Sequence, residues 1–204
     1  MNTFDAIQER RSIKRYDPNH RMREDEIGRL LQLARLSPTA FNLQNWRFVI
    51  VRDPELRKRF KEAAQGQSQM TDASLLLVLC ADLDAWKKNP ERCWANVDEE
   101  VRGFILPRLD RYYRDNERSQ RDEAICSCGI AAQTIMLAAK GMGYDSCPMI
   151  GFDFEKVGKL IRLPADHLIV MCVAIGKGIE AAGPRPGSLP AEQIIFTDTF
   201  PRDA

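Results

Sequence analysis

Residues 121–141, RDEAICSCGIAAQTIMLAAKG, have the length of a helix and almost no polar face. Ile125, Cys128, Ala132, Ile135 and Ala139 recur at helical spacing. Ala124, Ile130, Ala131, Met136, Leu137 and Ala138 fill most of the remaining circumference. A helix that is apolar nearly all round must be covered on more than one side. In a chain of 204 residues, only the centre of the domain or a subunit interface offers that cover.

The flanking sequence supplies elements to pack around it. Helices are expected at 3–10 and at 24–36, the second with Ile27, Leu30, Leu31 and Ala34 on one face. WRFVIVRD (46–53) reads as a strand, and DPELRKRFKEAA (53–64) as a helix capped by Asp53 with Pro54 at its first position. SLLLVLCAD (74–82) is continuously apolar, the pattern of a central strand covered on both faces. Residues 83–120 are charged and aromatic and read as an excursion containing helix. A short strand around 144–147, a helix at 153–162 and a strand at 167–176 follow. The tail EAAGPRPGSLPAEQIIFTDTF carries too much Pro and Gly for a core element. Its end, QIIFTDTF, is β-like and needs a surface to pair with, in this subunit or another. The order is mixed α and β without a βαβ alternation, in a single domain over 1–204.

Composition excludes several classes of function. Thirty Lys and Arg face 29 Asp and Glu, so bulk attraction to nucleic acid or to an anionic membrane is not expected. The longest apolar run falls short of a membrane span, and the N-terminal MNTFDAIQERR shows no apolar leader segment. Six cysteines without a paired framework fit a cytoplasmic protein with reduced thiols. The CSC at 126–128 lacks a second pair or a nearby His, so no metal is expected there. His20 and His167 lie without a flanking Ser or Cys signature, which argues against a nucleophilic triad. GMGYDS (141–146) follows a helix, and GKGIEA (176–181) precedes Pro184, Pro186 and Pro190, so neither opens a dinucleotide-binding helix.

Four polar segments remain as candidates. ERRSIKRY (9–16) crowds guanidiniums, an ammonium and a hydroxyl into one turn. That set suits a phosphate dianion, or it simply offsets the dipole of the preceding helix. DSCPMIGFDFEKV (145–157) is either an ordinary strand–turn–helix or a backbone segment laid against a flat ligand. GPRPGSLP (183–190) is a rigid arm, a linker by default. SPTAFNLQNWRF (37–48) has a polarity of amides and hydroxyls, with no charge before Arg47.

Taken in order, RRSIKRY, SPTAFNLQNWRFVIV, GYDSCPMIGFD and PRPGSLP resemble the FMN-dependent nitroreductase family, oxygen-insensitive NAD(P)H nitroreductase-like, over residues 10–190. The resemblance implies an α+β fold with a mostly antiparallel central sheet flanked by helices and a C-terminal arm wrapping the partner subunit. It implies a homodimer with two FMN sites at the interface, NADH or NADPH as electron donor, and a small-molecule electron acceptor.

Carried over residue by residue, it assigns the FMN phosphate to Arg10, Ser12 and Arg185, with Arg11 adjacent, and Lys14 to the polar edge of the ring. Pro38, Thr39, Ala40 and Asn42 would meet the flavin of the other subunit, with Gln44 in support. Pro148, Met149, Ile150 and Gly151 would lie against the ring, and Gln67 or Gln69 would bond its pyrimidine edge. Ser188 stands where a second phosphate-binding Arg or Lys is common, Asn45 where a Pro is usual, and Ile150 where some members carry Glu. Phe41 and Tyr112 are candidates for a substrate wall or for simple interface packing. The chemistry implied is ping-pong hydride transfer to nitroaromatics or quinones. Reductive dehalogenation, flavin fragmentation or non-catalytic flavin storage are the alternatives.

Overall fold

A computed structural model describes residues 1–201. Four strands form one sheet: β1 (Trp46–Ile50), β2 (Leu75–Asp82), β3 (Asp145–Met149) and β4 (His167–Gly176), in the order β1-β2-β4-β3. Every neighbouring pair is antiparallel, with a bulge in β2 between Leu79 and Cys80. Around the sheet lie α1 (Thr3–Glu9), α2 (Glu24–Ala34), α3 (Pro54–Ala63), α4 (Gln69–Asp72), α5 (Glu99–Tyr113), α6 (Glu117–Gly141) and α7 (Phe154–Leu160). The fold is α+β.

β2 is buried at all eight positions because it is covered on both faces. Its even-numbered residues Leu76, Val78 and Cys80 face Phe60, Met70 and Val157, on the side of α3, α4 and α7. Its odd-numbered Leu75, Leu77 and Leu79 face Leu30, Ile135 and Ala139 of α2 and α6. Successive residues of a strand point to opposite faces, so two such coverings require an unbroken apolar run. Each fully buried Leu contributes about 1.5–3 kcal/mol.

α6 begins four residues before the expected start, at Glu117, because the Asn116 side chain accepts a hydrogen bond from the Ser119 N–H and caps it. One side of α6, with Ala124, Cys128, Ala131, Ala132, Ile135 and Ala139, is buried on the sheet. The other side leaves Cys126, Ile130 and Gln133 exposed. α6 is long and apolar enough to cross a membrane, but its small-residue side is the floor of the sheet's core.

The expected helices at 24–36 and 153–162 end earlier, at Ala34 and Leu160. The β-like QIIFTDTF forms no strand within the chain. A short 3₁₀ turn at Ala191–Gln193 precedes exposed Ile194, Ile195, Phe196 and Phe200, and among the described residues the outer edge of β1 stays unpaired. GKG at 176–178 is a packing motif. A Cβ on Gly176 would lie 3.0 Å from the Ser74 nitrogen and from Tyr16, and one on Gly178 would lie 2.8 Å from an Asp145 oxygen.

Candidate active site

The segment after α1 cannot continue as helix: the Arg10 N–H closes α1 on the Ala6 carbonyl, and the chain turns extended. Ser12 then pairs with Ser146 in an isolated parallel bridge, with the Ile13 N–H on the Ser146 carbonyl at 3.1 Å. Tyr16 pairs with Gly178, and its hydroxyl donates to the Ala174 carbonyl at 3.3 Å. These contacts lash 10–16 across the end of the sheet, beside β3 and the start of the tail.

Arg10, Arg11, Ser12, Lys14, Arg185 and Ser188 all line one cavity of about 760 Å³. Arg185 reaches the carbonyls of Gln8 and Arg10 at 2.6 and 3.1 Å, and Arg11 reaches the Gly183 carbonyl at 2.6 Å. The arm is thus folded back over the basic turn. Glu180 is the one acid in the lining. Arg10 Nη1 is buried and has no acceptor. A wall of donors with an unpaired buried guanidinium nitrogen has the chemistry of an oxyanion cradle, and the phosphate of a mononucleotide fits it.

A second group adjoins this wall. The Gln67 amide donates to the Gly151 carbonyl at 2.8 Å, which sets it beside the turn Pro148–Gly151. Gln69 is buried at the start of α4. It lies beside Cys147, whose thiol donates to the Pro148 carbonyl at 3.7 Å and is pushed upward by burial. Both glutamines therefore adjoin the 147–151 segment, Gln67 on its carbonyl edge and Gln69 beneath it. Met149 is buried, and Ile150 is 66% exposed, facing outward.

Pro38, Thr39, Ala40, Asn42 and Gln44 do not line the Arg10 cavity. Pro38 instead borders an apolar cavity with Ala6, Leu36, Thr134 and Leu137. The loop is held by its own side chains: Thr39 Oγ1 accepts from the Gln44 N–H at 2.9 Å. Asn42 donates to the Cys93 carbonyl at 2.7 Å, and Trp94 Nε1 donates to the Phe41 carbonyl at 3.0 Å. Phe41, Asn42 and Gln44 all have φ near +50°, a left-handed backbone that costs energy at a Phe. The excursion 83–116 therefore clamps this loop. Phe41 lies 5.6 Å from Tyr112 and 5.8 Å from Tyr113, ring to ring. Both tyrosines donate to Glu123 on α6.

Sequence reasoning missed Ser146, whose Oγ is buried without a partner beside Ser12, and the clamp from Cys93 and Trp94. Ser146 was findable as a lone hydroxyl in a buried strand. The clamp was not, because it joins residues some fifty positions apart by bonds to backbone.

One further cluster resembles a metal site, since Asp82, Asp166 and His167 offer ligand atoms within 4.8 Å of one another. Lys88 Nζ occupies that role, 2.7 Å from Asp82 and 2.6 Å from Asp166, and Arg47 closes on Asp82 at 2.7 Å. The cluster is a set of ion pairs.

A sequence model of the nitroreductase family matches residues 7–177. Protein DrgA of Synechocystis is 50% identical, over 96% of this chain and 95% of its own. The NADH dehydrogenase of Thermus thermophilus is 32% identical, over 94% of this chain and 93% of its own. A solved structure from Staphylococcus epidermidis, assigned as an NAD(P)H:FMN oxidoreductase, superposes with a TM-score of 0.90 at 25% identity, covering 96% of this chain and 95% of that one. A motif set spread over four segments, an antiparallel four-stranded sheet and these matches agree, and the chain belongs to the nitroreductase family.

Proposed function

We propose that the protein is an FMN-dependent NAD(P)H oxidoreductase that reduces small electron-poor acceptors. The observation that carries this reading is the cavity between residues 10–15 and 180–188, a wall of donors in which Arg10 Nη1 is buried with no acceptor. The Thermus relative named NADH dehydrogenase and the Staphylococcus structure assigned as an NAD(P)H:FMN oxidoreductase support the class of donor and cofactor.

In this reading Arg10, Ser12 and Arg185 hold the phosphate, with Arg11 beside them bracing the arm through Gly183. Lys14 is the cation at the polar edge of the ring, where it stabilises negative charge as the flavin is reduced. Gln67 would bond the pyrimidine edge, while Gln69 lies buried beside Cys147. Pro148–Gly151 presents backbone to the ring. The chemistry supplied by bound FMN is acceptance of hydride at N5 from NADH or NADPH, and its delivery in a second half-reaction to a nitroaromatic, a quinone or a similar acceptor.

The site is built as two separate parts, the Arg10 cavity and the Pro38–Gln44 loop, which supports assembly of each whole site from two copies of the chain. Phe41 and Tyr112 then form an aromatic wall for a planar acceptor.

The test is spectroscopic. Purified protein incubated with FMN and freed of excess should retain flavin absorbance. That absorbance should bleach anaerobically with NADH or NADPH and return with nitrofurazone, menadione or an enone. Protein that stays colourless refutes the reading. Replacing Arg10 and Arg185 together with Ala should release the flavin, and unchanged occupancy would refute the phosphate assignment.

A further inference from the structure

A second basic cavity, about 390 Å³, opens where β1 ends and α3 begins. It is lined by four cations, Arg21, Arg52, Arg57 and Lys58, and one acid, Glu24, together with Thr71 and Ser74. None of these belongs to the site described above.

Two of the four cations are already paired. Arg52 forms a fork with Glu24, and Lys58 meets Glu55 at 2.7 Å. Arg21 has only carbonyls, those of Pro18 and His20. Arg57 has almost nothing: its Nη1 reaches the Thr71 carbonyl at 3.4 Å, while Nε and Nη2 are buried without an acceptor. The one other carboxylate near it, Asp72, accepts from the Thr71 hydroxyl at 2.7 Å. Burial and the neighbouring Arg21 push the Arg57 pKa down to about 10, with only Asp72 opposing.

The identity of the two free nitrogens is informative. Nε and Nη2 lie on one edge of the planar guanidinium, the edge that meets both oxygens of a carboxylate or phosphate in parallel hydrogen bonds. A guanidinium held in a half-buried position with that edge unpaired, beside a second cation without a carboxylate, lacks one oxyanion. Among the described residues ordinary packing supplies none here, because Glu24 and Glu55 are engaged elsewhere.

We propose that this cavity is an oxyanion-binding site, separate from the Arg10–Arg185 cradle, that takes a small phosphate- or carboxylate-bearing ligand. Arg57 grips the anion by its Nε–Nη2 edge and Arg21 neutralises it from the rim. The proposal does not depend on the flavin reading.

Isothermal titration of the purified protein with inorganic phosphate, and separately with succinate, tests it. The phosphate and succinate arms distinguish which oxyanion the cavity prefers. Saturable binding is expected, and it should survive in the Arg10→Ala/Arg185→Ala protein, where the other cradle is disabled. Arg57→Lys keeps the charge and removes the fork, and should weaken binding about ten-fold or more. Arg21→Gln should weaken it by less and, being a change at the rim, leaves the fold intact if Arg57→Lys does not. The proposal is overturned if neither anion binds saturably at millimolar concentration. It is also overturned if binding is lost with Arg10 and Arg185 but kept in Arg57→Lys and Arg21→Gln.

Discussion

Asp82 shows what a single buried charge can organise. Its side chain is 2% exposed and accepts from Arg47 and Lys88, both at 2.7 Å, at the end of the central strand. Lys88 then reaches Asp166, which also bonds His167 at 2.7 Å. Asp82→Ala strands two cations near a buried spot, at a cost of roughly 2–3 kcal/mol. The figure lies below that of a fully buried pair because Arg47 and Lys88 each keep about a third of their side chain in water. Thermal unfolding should show it as a Tm about 5–10 °C lower. Asp166 gives the network its pH dependence, since hydrogen bonds from Lys88 and then His167 hold its carboxyl down at about 2. A depressed carboxyl binds fewer protons in the folded state than in the unfolded one. Its stabilisation is therefore complete above the ordinary carboxylate range of about 4 and is lost as pH falls toward 2. Acid unfolding followed by circular dichroism should lose part of its slope in that window in Asp166→Asn, and an identical slope would refute the assignment. At this scale the sequence was only partly legible. That Arg10, Ser12 and Arg185 come together was legible from residue type in a recognisable order, and they line one cavity. The free edge of Arg57 did not, because whether a guanidinium finds an acceptor depends on which carbonyls the fold brings to it.

Elements were more legible than their ends. β2 was readable because burial on two sides demands continuous apolar sequence, and α6 because its open side is apolar as well as its buried one. The four-residue error at the start of α6 came from Asn116, a cap that sits in a polar stretch and carries no apolar period. The loop 37–48 was legible as something other than a connector. Its shape was not, since two of its three left-handed residues, Phe41 and Asn42, are held by bonds to the distant 90–94 turn. The close fit of α6 on the sheet also makes a prediction. Ala131 is fully buried beside Trp46, Ala81, Ala124 and Cys128, so Ala131→Leu has no room for three further carbons. The overpacking should cost about 1–3 kcal/mol. A chemical denaturation midpoint within error of the parent would show that α6 lies less tightly on the strands than described.

Over the whole molecule, the outstanding fact is apolar surface left without cover. Phe4 is 75% exposed and Leu36 78%, and Ile7 and Ile130 are exposed as well. Pro38, Leu137 and Ala138 border an apolar cavity between them of about 410 Å³. The uncovered side of α6 lies within this surface, so a helix that is apolar all round has its second side still open. The tail adds Ile194, Ile195, Phe196 and Phe200, exposed beside no strand, while the edge of β1 has no partner among the described residues. A monomer with so large an apolar surface is unusual, and a second copy of the same chain would cover the helix face symmetrically. Pro38 borders this same face, so the Pro38–Gln44 loop would lie at the edge of such a contact. Ile130→Asp sets a charge in the middle of the face without touching the sheet side of α6, and should leave the fold intact. Analytical ultracentrifugation should then show the variant shifted to monomer, with FMN retention and NAD(P)H oxidation lost together. Two other results decide against this reading. A dimeric variant would locate the subunit contact elsewhere, and a monomeric variant that still holds and reduces flavin would show that one chain carries a complete site.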